Sequence, residues 1–333
     1  MFKLFQGAGL ALLLLFGQAH GQSLYQVSIA LPEQAQGSDP AIQTRALTTV
    51  IERLIGQPIL SPGPYAMLLE QPQPWILSWG FQSDLDEISR VATLTVDPEL
   101  RRQVQALGAP VWTQPRPAQW LWLLVDQGQG RQPLTADPSS VIWRALQDQA
   151  ERWQLPVAVP DWDQADRGLV NFSELWGLFM DGVEQAAPRY SETFNAGRVV
   201  QTGQGWQVSI KTQDGRRLDR SFASPEALAE GLFQWWLPEL VSQYAISGIG
   251  QQDLAVYGLT PRGYQVLIEY LRAQDAIDRA HAVYSDPEVT VFRLQTGARV
   301  EQLESLLAGL DNLVAADPVE TPIAVQTAVR WVP

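Results

Sequence analysis

Gln119-Trp120-Leu121-Trp122-Leu123-Leu124-Val125-Asp126 is a nearly unbroken apolar run, about the length of a strand covered on both faces. A polar loop with Gly128 and Gly130 follows, then a helical pattern from about Asp137 to Trp153 and a second apolar run, Leu155 to Val159. The order is strand, helix, strand. The rest of the chain is placed before or after this unit.

The 333 residues suit two or three domains of ordinary size. Hydrophobic residues make up 46% and charged residues 18%, a composition that builds cores rather than a disordered chain. The first residues read as a secretory signal: Lys3 is the lone positive charge, Ala8 to Phe16 is apolar, and Ala19 and Gly21 suit cleavage after Gly21. That apolar run is short of the ~20 residues a spanning helix needs, so no transmembrane anchor is expected after cleavage. There is no cysteine. Disulfides, thiol catalysis, cysteine-held metals and N-terminal lipid attachment are therefore excluded, and a bacterial periplasm is the expected location. The net charge is -13; removing residues 1 to 21 takes away Lys3 and no acid, which leaves -13 - 1 = -14. An acidic chain with no basic run is not expected to bind nucleic acid or an anionic membrane surface.

Working outward, residues 22–115 read as an N-terminal domain. Leu24 to Leu31 alternates as a strand, and Asp39-Pro40 opens a helix that Asp39 is expected to cap. Ile42, Ala46, Leu47, Val50, Ile51, Leu54 and Ile55 share one face of that helix, and Gly56 closes it. Trp75 to Phe81 and Val91 to Val96 read as strands joined by an acidic turn at Asp84, Asp86 and Glu87, and Asp97-Pro98 starts another helix. The result is a βαββα sandwich. Residues 116–247 form a small central α/β domain. After its first three elements, Ser173-Glu174 starts a helix carrying Leu175, Leu178, Phe179 and Val183. Three strands follow at Ala196 to Gln201, Gly205 to Thr212 and Arg216 to Phe222, with Asp214-Gly215 as a hairpin signal. Ser224-Pro225 then opens a helix that Pro238 is expected to kink or end. Residues 248–318 give β-α-β-β-α-β, the ferredoxin-like order, with Leu313 to Ala316 as its last strand. Residues 319–333 read as a C-terminal tail that packs back through Val329, Trp331 and Val332. The fold class expected is α+β.

Several motifs in order carry a resemblance. They are Val50-Ile51-Glu52-Arg53-Leu54-Ile55-Gly56, then Leu107-Gly108-Ala109-Pro110-Val111-Trp112 with Pro117 and Trp120 to Leu123. Leu155-Pro156-Val157-Ala158-Val159-Pro160, Leu175-Trp176-Gly177 and the Tyr264 to Leu271 helix complete the set. With these the chain resembles the DUF2066 family of secreted bacterial proteins. The resemblance spans most of the chain after the signal and implies export and a multi-domain α+β build. Its motifs are apolar and structural, and it supplies no catalytic residue.

The chemistry-bearing residues are sparse. A nucleophilic triad needs a base beside the nucleophile, and the only histidine after the signal is His281, inside an expected strand. Ser285 and Asp286 nearby read as a hairpin turn. No Gly-x-Ser-x-Gly, His-Glu-x-x-His or phosphate-loop motif is present. Asp161, Asp163 and Asp166 place three carboxylates in one loop, the ligand type that hard cations prefer. The pattern lacks the glycine and terminal glutamate of a calcium loop, so a solvated acidic loop is the preferred reading. The 13 tryptophans raise the question of stacking on sugars or anchoring a partner. Trp120, Trp122 and Trp235 read as core, and Trp162 stands out as the candidate for exposure. No catalytic, cofactor-binding or metal-binding residue is assigned, and no cofactor. The expectation is a non-enzymatic scaffold or assembly factor that binds envelope proteins. A cell-wall glycan or small-ligand binder using exposed tryptophan is the first alternative, and a hydrolase using carboxylates alone the second.

Overall fold

The structure, a computed structural model, describes residues 24–332 apart from 33–34, 84–89, 113–115, 247, 249, 275 and 318–322. The expected signal segment and the acidic turn at Asp84, Asp86 and Glu87 lie outside the described residues. Within them the chain is mixed α+β, with three sheets.

The first sheet is antiparallel. Its elements are β1 (Gln26–Leu31), α1 (Pro40–Ile55), α2 (Ala66–Glu70), β2 (Ile76–Ser83), β3 (Arg90–Val96) and α3 (Leu100–Ala106). The strand order is β1-β3-β2. Alternation sends Val27 and Ile29 of β1 and Ala92, Leu94 and Val96 of β3 to one face, where Ala46, Leu47, Val50, Ile51 and Leu54 of α1 close over them. Asp39 is the N-cap residue, but its side chain makes no cap hydrogen bond to the helix. Its carboxylate accepts from the Gln36 N–H instead, at 2.8 Å, and tightens the loop before the helix. Gly56 ends α1 at φ +62°, the left-handed region, and a Cβ there would fall 2.2 Å from Val241 Cγ2. Only glycine fits this closing turn.

The second sheet is built on the apolar run. β4 (Gln119–Asp126), β5 (Arg131–Pro133), α4 (Val141–Trp153) and β6 (Val157–Ala158) come first. Three short helices follow: α5 (Gln164–Leu169), α6 (Phe172–Trp176) and α7 (Asp181–Ala186). The chain then returns as β7 (Asn195–Thr202), β8 (Gly205–Thr212), β9 (Arg217–Phe222) and α8 (Pro225–Tyr244). The order is β5-β4-β7-β8-β9, with β6 also on β4. β4 runs parallel to both β6 and β7. Leu121 and Leu123 face α4 and α8, while Trp122 and Leu124 face the short helices. This is why β4 carries almost no polar residue: neither face meets water. The single helix expected after Ser173 is broken in two. Leu178 takes φ +64°, and the break brings Leu175, Met180 and Val183 together against β4. α8 runs through Pro238 to Tyr244. Burial of Phe233, Trp236, Leu237 and Leu240 around the proline outweighs its missing hydrogen bond.

The third sheet contains β10 (Gln251–Tyr257), α9 (Pro261–Ala273), β11 (Arg279–Ser285), β12 (Val289–Gln295), α10 (Val300–Leu307), β13 (Leu313–Ala315) and β14 (Thr327–Trp331). Its order is β11-β12-β10-β14-β13. The segment expected as a tail that packs back is thus an interior strand, parallel to β10 and antiparallel to β13. Thr327, Ala328, Val329 and Trp331 are buried, and Trp331 lies on Gly263 of α9, where a Cβ would come within 2.7 Å of its ring. Four of the five residues of β14 are buried, so the strand completes the core rather than covering it.

The three sheets are joined by side chains that cross between them. Arg53, 2% exposed, donates to Leu24 O (3.2 Å) and Gln26 O (2.6 Å) at β1, and to Glu151 O (3.1 Å) and Arg152 O (2.8 Å) at the end of α4. Arg116 donates to Trp153 O and Arg53 O and lies 4.5 Å over the Trp112 ring. Burial lowers Arg53 to about 10 and Arg116 to about 9, so both remain protonated at neutral pH. Arg53→Met keeps the apolar stem and leaves four carbonyl oxygens without this donor. It is expected to reduce the unfolding free energy by about 4 kcal/mol, read from the urea midpoint at pH 7. A loss below about 1 kcal/mol would show that water replaces the guanidinium at little cost.

Candidate functional site

The acidic loop resolves into an ion-pair cluster. Asp163 caps α5 by accepting from the Asp166 N–H at 2.9 Å, which turns the chain so that Asp166 points inward and is 0% exposed. Arg189 reaches both carboxylates, with bonds to Asp163 at 2.9 and 2.6 Å and a contact to Asp166. Tyr190 donates its hydroxyl to Asp166 at 2.7 Å and accepts from the Asp161 N–H at 3.2 Å. The hydrogen bonds from Arg189 hold Asp163 well below the usual carboxylate range, and Arg189 is raised by the same contact. Tyr190 is pushed up to about 12 by burial and by its bond to Asp166. The solvated acidic loop expected from the sequence is therefore a partly buried structural joint. Arg189, 23 residues from Asp166, occupies the position a cation would take. Among the described residues no group of three or more His, Cys, Asp or Glu is arranged to hold a metal ion.

Trp162 is not exposed. It is 1% exposed, packs edge-on against Trp122 (5.2 Å) and Phe172 (5.7 Å), and donates Nε1–H to Leu134 O at 2.9 Å. Its φ of +54° is unusual for a bulky residue and is held there by this burial. Flanking acids made it look solvated, but the loop inverts at Trp162 and sends the indole inward. Trp120 and Trp235 are partly buried, and Trp122 is fully buried. His281 is exposed on β11. Asp286 accepts from the Glu288 and Val289 N–H groups and from Tyr284 OH, and Ser285 Oγ lies 3.1 Å from Thr290 Oγ1, so both serve the hairpin. The structure does not bring His281 into a site with them.

One pocket joins several polar residues. A cavity of about 450 Å³ opens at the start of β4 and β7 beside the end of α8, lined by Gln119, Asn195, Thr212, Asp214, Arg216 and Glu239 among others. Several of its polar groups are already engaged. Asn195 Oδ1 accepts from Trp236 Nε1 at 2.9 Å, and Arg216 stands 3.3 Å from Asp214 and 3.7 Å from Glu239. Asp214 is held low, first by its hydrogen bond from Thr212. Every described carboxylate with a displaced pKa is displaced downward, the opposite of what a general acid needs.

The strongest unassigned surface is the edge strand β2, which the sequence pattern marks only as a strand. Trp79 pairs with Leu94 and Phe81 with Ala92, so both project on the face that α1 covers. They lie beyond the reach of α1 and remain 40% and 51% exposed, with Leu77 at 59% in a bulge between Ile76 and Ser78. Trp79 rests on Gly37 and meets Phe81 edge-on at 5.3 Å; Arg90 lies 5.2 Å over the Phe81 ring. Trp79 is the one tryptophan among the large apolar side chains left exposed. The signal for it was available: Ile76 to Ser83 contains no charged residue, which an edge strand ordinarily needs. The other edges are guarded. β9 carries Arg217, Asp219 and Arg220, β11 carries Arg279 and His281, β5, β6 and β13 are two or three residues long, and β1 is latched by Arg53.

Comparison with family models, with curated proteins and with solved structures finds no match.

Two outcomes separate the buried from the exposed aromatic residues and test the ion-pair joint. Trp162→Ala is expected to cost about 3–5 kcal/mol of stability and Trp79→Ala less than about 1 kcal/mol, both by urea denaturation. Arg189→Gln is expected to lower the urea midpoint most at neutral pH. Asp163 has a folded pKa below its unfolded value, so its stabilising contribution is complete above about pH 4 and is lost as pH falls. The deficit of the variant should therefore shrink between pH 7 and pH 2; an unchanged deficit would remove the linkage.

Proposed function

We propose that this chain is an exported, non-enzymatic scaffold that binds other proteins of the bacterial envelope, and that β2 is its docking edge. The observation that carries the reading is the uncharged edge strand with Leu77, Trp79 and Phe81 exposed along it. Patches of this kind mark interaction sites, and aromatic anchors supply most of the energy in protein interfaces. In this reading residues 1 to 21 are a cleaved signal, the location is periplasmic, and the DUF2066 likeness reflects a shared envelope role. The architecture is read as three domains, the third a ferredoxin-like unit into whose sheet the final strand has been inserted. Among the described residues no helix is long and apolar enough to cross a membrane.

The hydrolase reading finds little support in a pocket whose Asp214 and Glu239 both face Arg216. The glycan reading moves to Trp79, because Trp162 is buried. One experiment addresses both remaining readings. Tagged protein is cross-linked in cells, captured from the envelope fraction and compared with a Trp79→Ser/Phe81→Ser variant of equal abundance. The expected result is a recurrent protein partner that the variant loses. Loss of binding to cell-wall fragments instead, with no protein partner affected, would favour the glycan reading.

A further inference from the structure

Resting on that reading, we infer that the occupant of β2 is an extended, non-acidic segment of another protein, added to the first sheet as a fourth strand beside β2. Three observations lead there. First, β2 is a sheet edge: its inner side pairs with β3 from Ile76 to Ser83, and no strand among the described residues pairs with its other side. Beyond the bulge at Leu77 the pairing is regular over Ser78 to Ser83, six residues or about 20 Å of strand. Alternate residues of such an edge aim N–H and C=O groups outward, ready to bond an incoming backbone.

Second, the side chains are set for a strand rather than for a flat surface. Trp79 and Phe81 stand two residues apart on the α1 face and remain 40% and 51% exposed, with Gly37 against the first ring and Arg90 over the second. A new strand beside β2 would place its own alternate side chains on that face, against the two rings. It needs apolar residues at alternate positions there and tolerates polar ones on the opposite face, where Ser78 and Gly80 lie.

Third, charge selects the occupant. Nothing from Ile76 to Ser83 is charged, and the charge nearest the two rings is Arg90, 5.2 Å over Phe81 at the Ser83 end of the strand. The chain as a whole carries 36 acidic against 23 basic residues, a net -13, so a second copy would bring the same charge to the interface. A neutral segment meets no such penalty, and basic flanks placed beyond the ends of the strand, away from Arg90, gain from the acidic field. The protein thus favours an uncharged strand with basic flanks and disfavours itself.

The test uses the purified protein and a labelled eight-residue peptide that alternates threonine with valine or phenylalanine and ends in lysine on both sides. Two further peptides replace the lysines by glutamates, or carry N-methyl groups on alternate backbone nitrogens. Fluorescence anisotropy at low salt is expected to show saturable binding of the lysine peptide and about ten-fold weaker binding of the glutamate peptide. The N-methylated peptide should not bind, and Phe81→Lys should weaken the lysine peptide about ten-fold with its far-ultraviolet circular dichroism unchanged. Equal binding of the N-methylated peptide would overturn strand addition, because apolar contact alone would suffice. Equal binding of the glutamate peptide would overturn the charge selection. A dimer in sedimentation that Phe81→Lys abolishes would replace the foreign segment with a second copy. If no peptide binds while a partner captured in cells is still lost in the Trp79→Ser/Phe81→Ser variant, strand addition falls and the docking edge stands.

Discussion

The last carbonyl groups of a helix have no partner inside it, and when the helix end is buried something else must donate to them. In this chain the donors come from the neighbouring sheet's own layer. Arg53 of α1 bonds Glu151 O and Arg152 O at the end of α4, while Arg116 bonds Trp153 O and the Arg53 carbonyl at the end of α1. At the end of α8 the arrangement repeats: Arg299 reaches Ser242 O and Gln243 O, and Gln302 reaches Gln243 O and Ala245 O. A cation at a helix C-terminus also meets the negative end of the helix dipole. The first and third sheets are thus each tied to the second by satisfying its helix ends. Separating them would bare those carbonyls together with the arginines.

Smaller contacts reinforce the same joints. Val111 and Ile246, 135 residues apart, exchange both backbone hydrogen bonds and hold the two connecting segments side by side. Arg101 and Arg102 both reach Asp278, which links the first and third units directly. Gly56 allows α8 to touch the end of α1 through Val241. In a chain without cysteine, these cross-connections limit how the units move apart without any disulfide.

What could be read from the sequence follows the range of the forces involved. The apolar run of β4, the Asp214-Gly215 hairpin and the Gly56 helix end are local in cause, and each occupies its expected place. The structure departs from the local pattern where a distant residue decides the outcome. The tail became an interior strand because β10 and β13 leave a strand's width between them, a gap created by residues more than ten positions away. Asp166 is buried because Arg189 and Tyr190 meet its carboxylate while Asp163 stays exposed, and Trp162 is buried because Trp122 and Phe172 enclose it. Asp39 fits the capping pattern, yet its carboxylate had a closer donor in Gln36. The β2 edge was legible in composition alone, as eight uncharged residues, but which strand forms the edge is a property of the whole sheet.

That edge raises a question of control. Natural sheets place a lysine, a proline or a strong bulge on an exposed edge to keep copies from pairing. β2 has only the bulge at Leu77, at one end, and leaves Ser78 to Ser83 regular. The missing local guard is replaced by a global one. At -13 the copies repel at a distance, although only over about a Debye length, near 8–10 Å in physiological salt. A charge placed on the strand would disfavour any segment unable to pair with it, whereas charge spread over the surface disfavours acidic ones and admits others. On the proposed docking role, a neutral strand on an acidic surface leaves the edge open to non-acidic segments.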